Sequence, residues 1–463
     1  MTLKAPTSKF SKNSAIIIIL VLGLAFHLYK IFAGFNFDYD QQVAANASYD
    51  FFKYHKVSAI GQELSFQGFF LGPLHNWIEF IPYSVCNLKP DCVPYFFAAV
   101  GILTAFISYL ILKKILGKKT SIIVTSIYTF SFVTVGWERG VNSNYFLFLS
   151  SLGILFCLFQ YFKGKNKYLI LGSFITGLAT VNFNPVFIFS SEAFFITSLL
   201  RKKIKPKIYF FSLFAFFINY LPLALFNSRH NNLLISSLKK FSEQNVGEKD
   251  YLFKIHDLFR VSISFISNYL FESAHPIFTA FTLALLLMGV LFSLKRKDKF
   301  FLFLPIWIVL TFVGFIFYKG HIPDYYFIQI LLPDIILVAL ALRTNLIIFL
   351  VFITTFVFSN VHHLYRYEAN INYKVKKEAI SYILSDTKGE TFNVYYQMPP
   401  GANTGYFYIF KAYDREPIEG GKNLYILELV DPWRFNLAKY KRSFPDKSLQ
   451  VKTFGFIHVV SVK

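Results

Sequence analysis

Charged residues are scarce in this sequence, and the acidic ones are the scarcest. Only 16% of the 463 residues are charged, whereas 55% are hydrophobic and 20% are aromatic. This composition is far more apolar than that of a soluble domain, so it argues against a soluble globular fold. The lipid bilayer is the solvent that it fits, and the chain is expected to be organised as membrane spans.

Acidic residues are almost absent from the short segments that separate the apolar runs. Those segments hold 20 of the 47 Lys and Arg residues but one of the 26 acidic residues, and they carry +19 of the net charge of +21. They are residues 1–13, 113–119, 163–167, 201–207, 295–299 and Arg343, and the single acid is Asp298. Basic connections between spans are typical of the cytoplasmic side of a membrane protein, where anionic lipids bind them. The charge therefore needs no nucleic acid partner to explain it.

Cysteine is also scarce, with three residues in the chain. Cys157 lies inside an apolar run, where a small buried side chain explains it. Cys86 and Cys92 share one loop that the topology below predicts to lie outside the cell membrane, where oxidation can occur. Their spacing permits a disulfide but does not establish the geometry, so the sequence leaves this bond open.

Eleven apolar runs are candidate transmembrane helices. They cover residues 14–35, 93–112, 120–137, 143–162, 168–183, 185–200, 208–226, 275–294, 300–318, 325–342 and 344–361. Strongly basic connections alternate with connections that are not basic, as a positive-inside topology requires. We predict a multi-pass cell-membrane protein with a cytoplasmic N-terminus and an extracytoplasmic C-terminal tail.

Three parts of the chain are predicted to lie outside, namely residues 36–92, residues 227–274 and the tail. In the first part, apolar residues at helical spacing between Val43 and Tyr54 predict a helix lying in the membrane interface.

The tail has the pattern of a small α/β domain. An amphipathic helix near residues 373–386 precedes strand-like runs at 391–397, 423–430 and 449–462. The predicted fold is an α-helical polytopic membrane domain of residues 1–361, followed by a small extracytoplasmic α/β domain of residues 362–463.

Two acidic residues, Asp38 and Asp40, directly follow the first apolar run. A carboxylate held at the membrane surface can accept a proton from a substrate or hold a divalent cation against a phosphate. The alternative is a solvated acidic loop that helps to set the orientation of the chain. Two acids separated by one residue favour this second explanation when they are taken alone.

Several segments together resemble the GT-C glycosyltransferases. They are Phe37-Asp38-Tyr39-Asp40-Gln41, the Ala-rich helix after it, the Gly72-Pro73-Leu74 turn with its aromatic helix, and Asp324-Tyr325-Tyr326 with Leu331-Leu332-Pro333 at the start of a late span. The branch that they resemble is glycosyltransferase family 39, which contains protein O-mannosyltransferases and lipid A aminoarabinose transferases. The resemblance covers all eleven spans by architecture, and the first outer loop and the tenth span by motif.

The resemblance implies the inverting transfer of a sugar from a polyprenyl phosphate donor to a protein, lipid or glycan acceptor. An acid of the first outer loop would be the general base. Asp40 is the best match to the family's acid, with Asp38 as its alternate, and these two would hold a divalent metal ion if the reaction uses one; no cofactor is otherwise implied.

This chain departs from the family pattern at two positions. The family opens the loop with an Asp-Glu pair, but Gln41 follows Asp40 here. The family's His-Pro-Pro-Leu turn corresponds to Leu71-Gly72-Pro73-Leu74, and a histidine, His75, follows this turn instead of opening it. His75 is kept as a candidate substrate-binding residue.

Cations near the outer interface would stabilise the phosphate that leaves when the glycosidic bond breaks. The candidates are Arg229, His230, Lys239, Lys240, Lys319 and His321, and a solvated loop charge is the alternative for each. Tyr325 and Tyr326 are candidate substrate-binding residues beside Lys319 and His321. Glu138 and Arg139 could face the cavity that binds this phosphate. An exposed ion pair is the equally weighted alternative for these two residues.

We predict a membrane glycosyltransferase whose partners are a polyprenyl-phosphate-linked sugar, an acceptor and membrane lipids. One alternative is a transporter or flippase for lipid-linked saccharides, but the sequence shows no paired internal repeats. Another is a non-catalytic protein that binds lipid-linked saccharide, which the departures at Gln41 and the missing histidine keep open.

Overall fold

The structure is a computed structural model that describes residues 14–64, 67–201, 205–243, 251–296, 298–318, 322–369 and 371–463. Its α-helices are α1 (Ser14–Leu28), α2 (Ile31–Gly34), α3 (Tyr39–Tyr54), α4 (Leu74–Val85), α5 (Val93–Leu116), α6 (Lys118–Phe130), α7 (Phe132–Gly140), α8 (Phe146–Phe162), α9 (Lys167–Asn182), α10 (Ile188–Ser198), α11 (Pro206–Phe217), α12 (Leu221–Arg229), α13 (Leu233–Glu243), α14 (Tyr251–Phe271), α15 (Pro276–Leu294), α16 (Phe303–Phe317), α17 (Leu331–Leu342), α18 (Leu346–Arg366), α19 (Tyr373–Asp386), α20 (Tyr406–Ala412) and α21 (Leu437–Ser443). Short 3₁₀ helices lie at Pro90–Cys92, Ser143–Tyr145, Pro185–Phe187, Ile218–Tyr220, Lys299–Leu302, Asp324–Ile330 and Pro432–Arg434. The strands are β1 (Phe392–Gln397), β2 (Asn423–Leu429), β3 (Leu449–Phe454) and β4 (Ile457–Val462).

Seven helical segments of the described residues are long and apolar enough to cross a membrane. They are Pro90–Leu116, Ser143–Phe162, Pro206–Arg229, Pro276–Leu294, Lys299–Phe317, Asp324–Leu342 and Leu346–Arg366. The pair α6 and α7 also qualifies, but the two helices are bent by 53° at their junction, so the number is eight if the pair is one span.

A helix is present at each of the eleven predicted spans, although the count of eleven stays a prediction. The remaining three are α1, α9 and the segment Pro185–Ser198, which are shorter. α9 has 16 residues, and at about 1.5 Å per residue it reaches less than the roughly 30 Å thickness of the hydrocarbon core.

α17 is the central helix of the bundle, because all of its residues are buried. It packs against α15, α6 and α8. Gly289 lets α15 approach closely, since a Cβ atom there would lie 2.2 Å from the carbonyl oxygen of Leu337. Small residues allow the same close packing of helix backbones in other membrane bundles.

The C-terminal residues form a four-stranded sheet in the order β1-β2-β4-β3. β1 and β2 are parallel, whereas β4 is antiparallel to both β2 and β3. α19 and α20 pack together, and α19 also packs against β3 and β4. The helix predicted at residues 373–386 is α19, and the run predicted at 449–462 is a hairpin that turns at Gly455, where φ is 55°.

Cys86 and Cys92 form a disulfide that closes the connection between α4 and α5. The carbonyl oxygen of Leu88 in this loop accepts a hydrogen bond of 2.7 Å from the hydroxyl of Tyr408 on α20. Lys377 on α19 forms an ion pair with Asp91 of the same loop. The disulfide loop is therefore one of the places where the C-terminal domain docks on the bundle.

Candidate active site

A cavity of about 650 Å³ lies where α3 meets the ends of several membrane helices. Its wall comes from the loop between α3 and α4, the end of α7, the connections that precede α8 and α10, and the 3₁₀ helix Asp324–Ile330. Asp40, in the first turn of α3, is part of this wall. Because these elements are mostly helix ends and connections, the cavity lies at one end of the bundle.

Aromatic side chains form one part of the wall. Trp137, Phe183, Phe189, Tyr318, Tyr325 and Tyr326 all line the cavity. Trp137 is held by stacking on Phe265, with ring centroids 6.1 Å apart. Aromatic faces of this kind can stack against the apolar face of a sugar ring or the first units of a prenyl chain.

Amide side chains form another part of the wall. Asn144 accepts a hydrogen bond of 2.7 Å from the Nδ2 atom of Asn184, and the backbone N–H of Asn144 donates to Oδ1 of Asn142 at 3.1 Å. All three asparagines line the cavity, together with Gln62. Fixed amide groups in a mostly apolar cavity can orient a ligand that carries several hydroxyl groups.

Asp40 is positioned by a capping box at the start of α3. The Asp38 side chain accepts a hydrogen bond from the backbone N–H of Gln41, and the Gln41 side chain accepts one of 2.9 Å from the backbone N–H of Asp38. Asp38 is therefore the N-cap residue, while Asp40 lies in the first helical turn. The two acids point to different surroundings even though one residue separates them.

Gln41 also attaches the start of α3 to the bundle. Its Nε2 atom donates hydrogen bonds to the carbonyl oxygens of Gly140 and Val141, and the bond to Val141 is 3.3 Å long. A carboxylate could accept the bond from Asp38 but could not donate to these two carbonyls. The glutamine at this position thus has a structural role that a glutamate would not fill.

The surroundings of Asp40 act on the pKa of its carboxyl group in both directions. Asp40 and Glu63 are the charged residues among the described residues of the cavity wall. The side chain of Asp40 is open to the cavity, but the surrounding protein removes much of its hydration and raises the pKa of its carboxyl group. A charge on His75 and the amide of Gln62 lower this pKa, whereas the charge on Asp38 raises it further. A raised pKa suits a group that must accept a proton during a reaction.

His75 and Glu79 form a buried pair that interacts electrostatically with Asp40. They lie one turn apart on α4, with His75 Nε2 at 3.0 Å from Glu79 Oε1. α4 is held beside α3 by the stacking of Phe80 on Phe51, with ring centroids 4.5 Å apart. Burial raises the pKa of the Glu79 carboxyl, and the hydrogen bond and charge of His75 act against this increase. His75 therefore links the electrostatics of Glu79 to those of Asp40.

Asp38 lies outside the group of residues that line the cavity in the described structure. Its Oδ1 atom accepts a hydrogen bond of 2.7 Å from Lys376 of α19, so its carboxylate faces the C-terminal domain. The described residues contain no group of three or more His, Cys, Asp or Glu side chains that could hold a metal ion. The proposed metal ligands Asp38 and Asp40 therefore do not share one coordination site with a third such side chain of the described chain.

Glu138 and Arg139 belong to a buried network that joins α7 to α1 and its C-terminal end. Glu138 interacts with Nδ1 of His27 at 2.7 Å and accepts a hydrogen bond of 3.0 Å from the hydroxyl of Tyr145. Arg139 donates to the backbone carbonyl of Tyr29 at 2.5 Å. Neither side chain is among the described residues that line the cavity, and neither is an exposed ion pair.

The candidate phosphate-binding cations are not gathered at the cavity in the described part of the chain. Arg229 and His230 lie at the end of α12, exposed, and His230 stacks on Phe226 with ring centroids 4.0 Å apart. Lys319 and His321 lie outside the described residues, between Tyr318 and Ile322. Tyr325 and Tyr326, in contrast, line the cavity together with Asp40.

Sequence reasoning missed three residues that the structure places near Asp38 or Asp40. Glu79 could have been found, because an acid four residues after His75 in an aromatic helix predicts an interacting pair on one face. Gln62 carries no local signal. Lys376 could not be found from the sequence, because 338 positions separate it from Asp38.

No protein-family model matches the chain, and no curated protein matches it. Solved structures do match it along nearly its whole length. The structure of ArnT from Cupriavidus metallidurans bound to undecaprenyl phosphate has a TM-score of 0.61 at 11% sequence identity, and the match covers 98% of both chains. The chain has the GT-C fold.

Other GT-C structures match less completely. ArnT from the same organism in the apo state has a TM-score of 0.60 at 10% identity, covering 97% of this chain and 98% of ArnT. The apo oligosaccharyltransferase from Archaeoglobus fulgidus has a TM-score of 0.50 at 10% identity, covering 89% of this chain and 65% of that one. At these identities the likeness establishes the fold alone. The predicted GT-C fold, an α-helical polytopic membrane protein with a small C-terminal α/β domain, is confirmed.

Proposed function

We propose that this protein is a membrane glycosyltransferase that moves a sugar from a polyprenyl phosphate donor to an acceptor at the outer face of the membrane. The observation that carries the proposal is the Asp40 carboxyl in a cavity with aromatic and amide walls, at one end of a bundle of apolar helices. A GT-C relative by fold, ArnT, was obtained bound to undecaprenyl phosphate, a lipid phosphate of the same chemical class.

Asp40 is the proposed general base. It would take the proton from the acceptor group as that group attacks the anomeric carbon of the sugar. The bond from this carbon to the phosphate oxygen breaks on the opposite face, so the configuration inverts and the phosphate stays on the lipid. His75 and Gln62 would favour the carboxylate form of Asp40, because both act against the increase of its pKa.

The departing phosphate needs positive charge close to the cavity. We assign this role to Lys319 and His321, which lie one and three positions after the cavity residue Tyr318 in the chain. Lys254 adds a described cation at the same end, since its Nζ atom donates a hydrogen bond to the carbonyl oxygen of Tyr318. Arg229 and His230 are proposed only as secondary candidates, because the structure exposes them away from the described cavity wall.

In this proposal the N-terminus is cytoplasmic, and the cavity lies on the same side of the membrane as the disulfide and the C-terminal domain. An oxidised pair, Cys86 and Cys92, at that end of the bundle supports an extracytoplasmic location. The acceptor would reach Asp40 from the same aqueous side.

The test uses the full chain in proteoliposomes with radiolabelled sugars carried on undecaprenyl phosphate, offered as a panel of hexose and pentose donors. Asp40→Asn should abolish transfer while undecaprenyl phosphate binding is retained. Asp50→Asn is the matched control, because Asp50 is on the same helix but outside the described wall of the cavity, and it should keep full activity.

The same assay separates the rival functions. Movement of the intact labelled donor across the bilayer without release of its sugar would identify a transporter or flippase. Binding of undecaprenyl phosphate without either event, or full transfer by the Asp40→Asn variant, would contradict the proposal.

A further inference from the structure

Lys376 is a charged side chain that is fully buried at the junction of the two domains. Its relative side-chain exposure is 0%, while that of its partner Asp38 is 50%. The three protons of the ammonium group have three oxygen partners: the carbonyl of Phe37 at 2.8 Å, Oδ1 of Asp38 at 2.7 Å and the carbonyl of Thr404 at 3.0 Å. The hydrogen-bonding capacity of this lysine is therefore completely used.

Two of these three partners belong to the segment that begins α3, and not to the C-terminal domain. Removing a lysine from water without such partners would be strongly unfavourable, so the internal packing of the C-terminal domain alone does not explain a lysine here. An apolar side chain would serve the domain's own core better. The position of Lys376 is explained by its contact with the start of α3.

A second contact from the same domain reaches the same segment. The backbone N–H of Gly405 donates a hydrogen bond of 2.7 Å to Oε1 of Gln42. Gly405 packs tightly on the segment that precedes α3, since a Cβ atom at this position would lie 2.1 Å from the carbonyl oxygen of Phe37. The first turn of α3 is thus held between the C-terminal domain on one side and the contacts of Gln41 with α7 on the other.

We infer that Lys376 is a positioning residue that couples the C-terminal domain to the orientation of Asp40 in the cavity. This inference rests on the proposed role of Asp40 as general base. Asp38 caps the helix turn that contains Asp40, so a shift of Asp38 moves the carboxylate of Asp40 relative to the cavity walls. Those walls come mainly from other elements and would stay in place.

The neighbouring residue provides a matched control. Lys377 also joins α19 to the rest of the protein, but its ion pair is with Asp91 in the disulfide loop. Asp91 is not part of the segment that begins α3. Lys377→Met therefore weakens domain docking without releasing Asp38, whereas Lys376→Met removes the contact with Asp38 and keeps an apolar side chain of similar length.

The first readout is hydrogen–deuterium exchange of the full-length protein, which needs no substrate. Lys376→Met should increase exchange at the amides of the first turn of α3, and Lys377→Met should leave them as in the wild type. Lys376→Arg keeps the charge and should give an intermediate result.

The second readout is transfer in proteoliposomes with the undecaprenyl-phosphate-linked sugar that the wild type uses. Lys376→Met should lower kcat by about tenfold or more and change the KM for the donor by less than about twofold, since an interaction that positions the base acts in the transition state. Lys377→Met should change neither by more than about twofold. The Asp38→Asn and Lys376→Met effects should be strongly non-additive in the double variant, because both remove one interaction.

The outcomes distinguish the two proposals. If Lys376→Met matches Lys377→Met in both exchange and kcat, or if the double variant is additive, the coupling role is refuted. If the wild type transfers no sugar from the panel, the proposed function fails, while the exchange experiment still decides whether Lys376 fixes the start of α3. A third outcome is that Lys376→Met and Lys376→Arg both lower the thermal midpoint and reduce exchange protection uniformly across the whole protein. This result would show a general structural role for Lys376 and overturn the inference.

Discussion

His75 Nε2 lies 3.0 Å from Glu79 Oε1 on the buried face of α4, close enough to the candidate base Asp40 to influence its pKa. Burial raises the pKa of the Glu79 carboxyl, and the contact with His75 opposes this increase. The pair extends the electrostatic environment of the cavity into the protein, because Asp40 interacts with both of its members.

The buried carboxyl of Glu79 gives stability a dependence on pH. Its pKa in the folded protein is raised above the ordinary value of 4.5, so the folded state holds its proton more tightly than the unfolded state. This stabilisation is complete when the pH is below the ordinary pKa of 4.5, and it is lost as the pH rises through the raised pKa of the folded state. The Glu79→Gln variant should lose this part of the pH dependence, as measured by thermal midpoints in detergent across the acidic range. Parallel curves for the variant and the wild type would contradict the assignment.

The rate of sugar transfer should depend on the ionisation of Asp40. Activity requires the carboxylate, so kcat/KM should rise with pH through a pKa above that of an ordinary aspartate. Gln62→Leu and His75→Asn each remove a group that lowers this pKa, so each should move the acidic limb of the profile to higher pH. Asp50→Asn, towards the C-terminal end of α3, should leave the acidic limb of the pH profile unchanged. A limb that is identical in all four proteins would argue against Asp40 as the titrating group.

Replacing Gln41 by glutamate should destabilise the start of α3, although the family that the sequence resembles has an acid at the matching position. The carboxylate would face the carbonyl oxygens of Gly140 and Val141 without a proton to donate. Losing these hydrogen bonds in a buried position should cost about 1–3 kcal/mol. The thermal midpoint and the exchange protection of the first turn of α3 measure the effect. If both are unchanged in the variant, the hydrogen bonds of Gln41 to Gly140 and Val141 contribute little to stability.

Gly405 and Gly401 offer a matched pair of alanine substitutions. Both have φ of 87°, so alanine imposes a similar backbone strain at each position. A Cβ atom at Gly405 would lie 2.1 Å from the carbonyl oxygen of Phe37, whereas nothing lies within 4 Å of one at Gly401. Gly405→Ala should therefore lower the thermal midpoint more than Gly401→Ala does, and it should also reduce transfer. Equal effects of the two variants would mean that the close contact with Phe37 is not important.

The disulfide between Cys86 and Cys92 should be detectable by alkylation. The unfolded protein should react at one cysteine without reduction, which is Cys157, and at three after reduction. Replacing both Cys86 and Cys92 by serine should cost about 2 kcal/mol of stability through the loss of a small closed loop. Three reactive thiols without reduction would contradict an oxidised pair, and would also weaken the proposed extracytoplasmic location of this loop.

The apolar runs predicted the helices well because the bilayer imposes one simple pattern on the sequence. The predicted helix at residues 373–386 coincides with α19, whose apolar spacing decides its buried face. The number of spans stays a prediction, since α1 ends at Leu28, just before Lys30, and α6 and α7 are separated by a sharp bend. The hairpin of β3 and β4 was predicted as one run, because only the glycine at position 455 marks its turn.

Only part of the candidate site could be predicted from the sequence. The segment around Asp38 and Asp40 was recognisable, but the different surroundings of the two acids depend on which one caps α3. Glu138 and Arg139 were proposed as substrate contacts, and their buried partners on α1 and its C-terminal end could not be foreseen from residues more than a hundred positions away. Contacts of this kind are decided by how the helices pack and not by local sequence.

The contact between Lys376 and Asp38 also has a consequence for biosynthesis. The ribosome makes the segment that carries Asp40 before the seven long apolar segments of the described residues, and makes Lys376 and Gly405 after them. A nascent protein that is still being inserted therefore lacks the parts that fix its acidic helix turn. If Lys376 positions the turn that carries Asp40, a chain cut between α18 and Lys376 would keep its apolar helices but could not orient the proposed base.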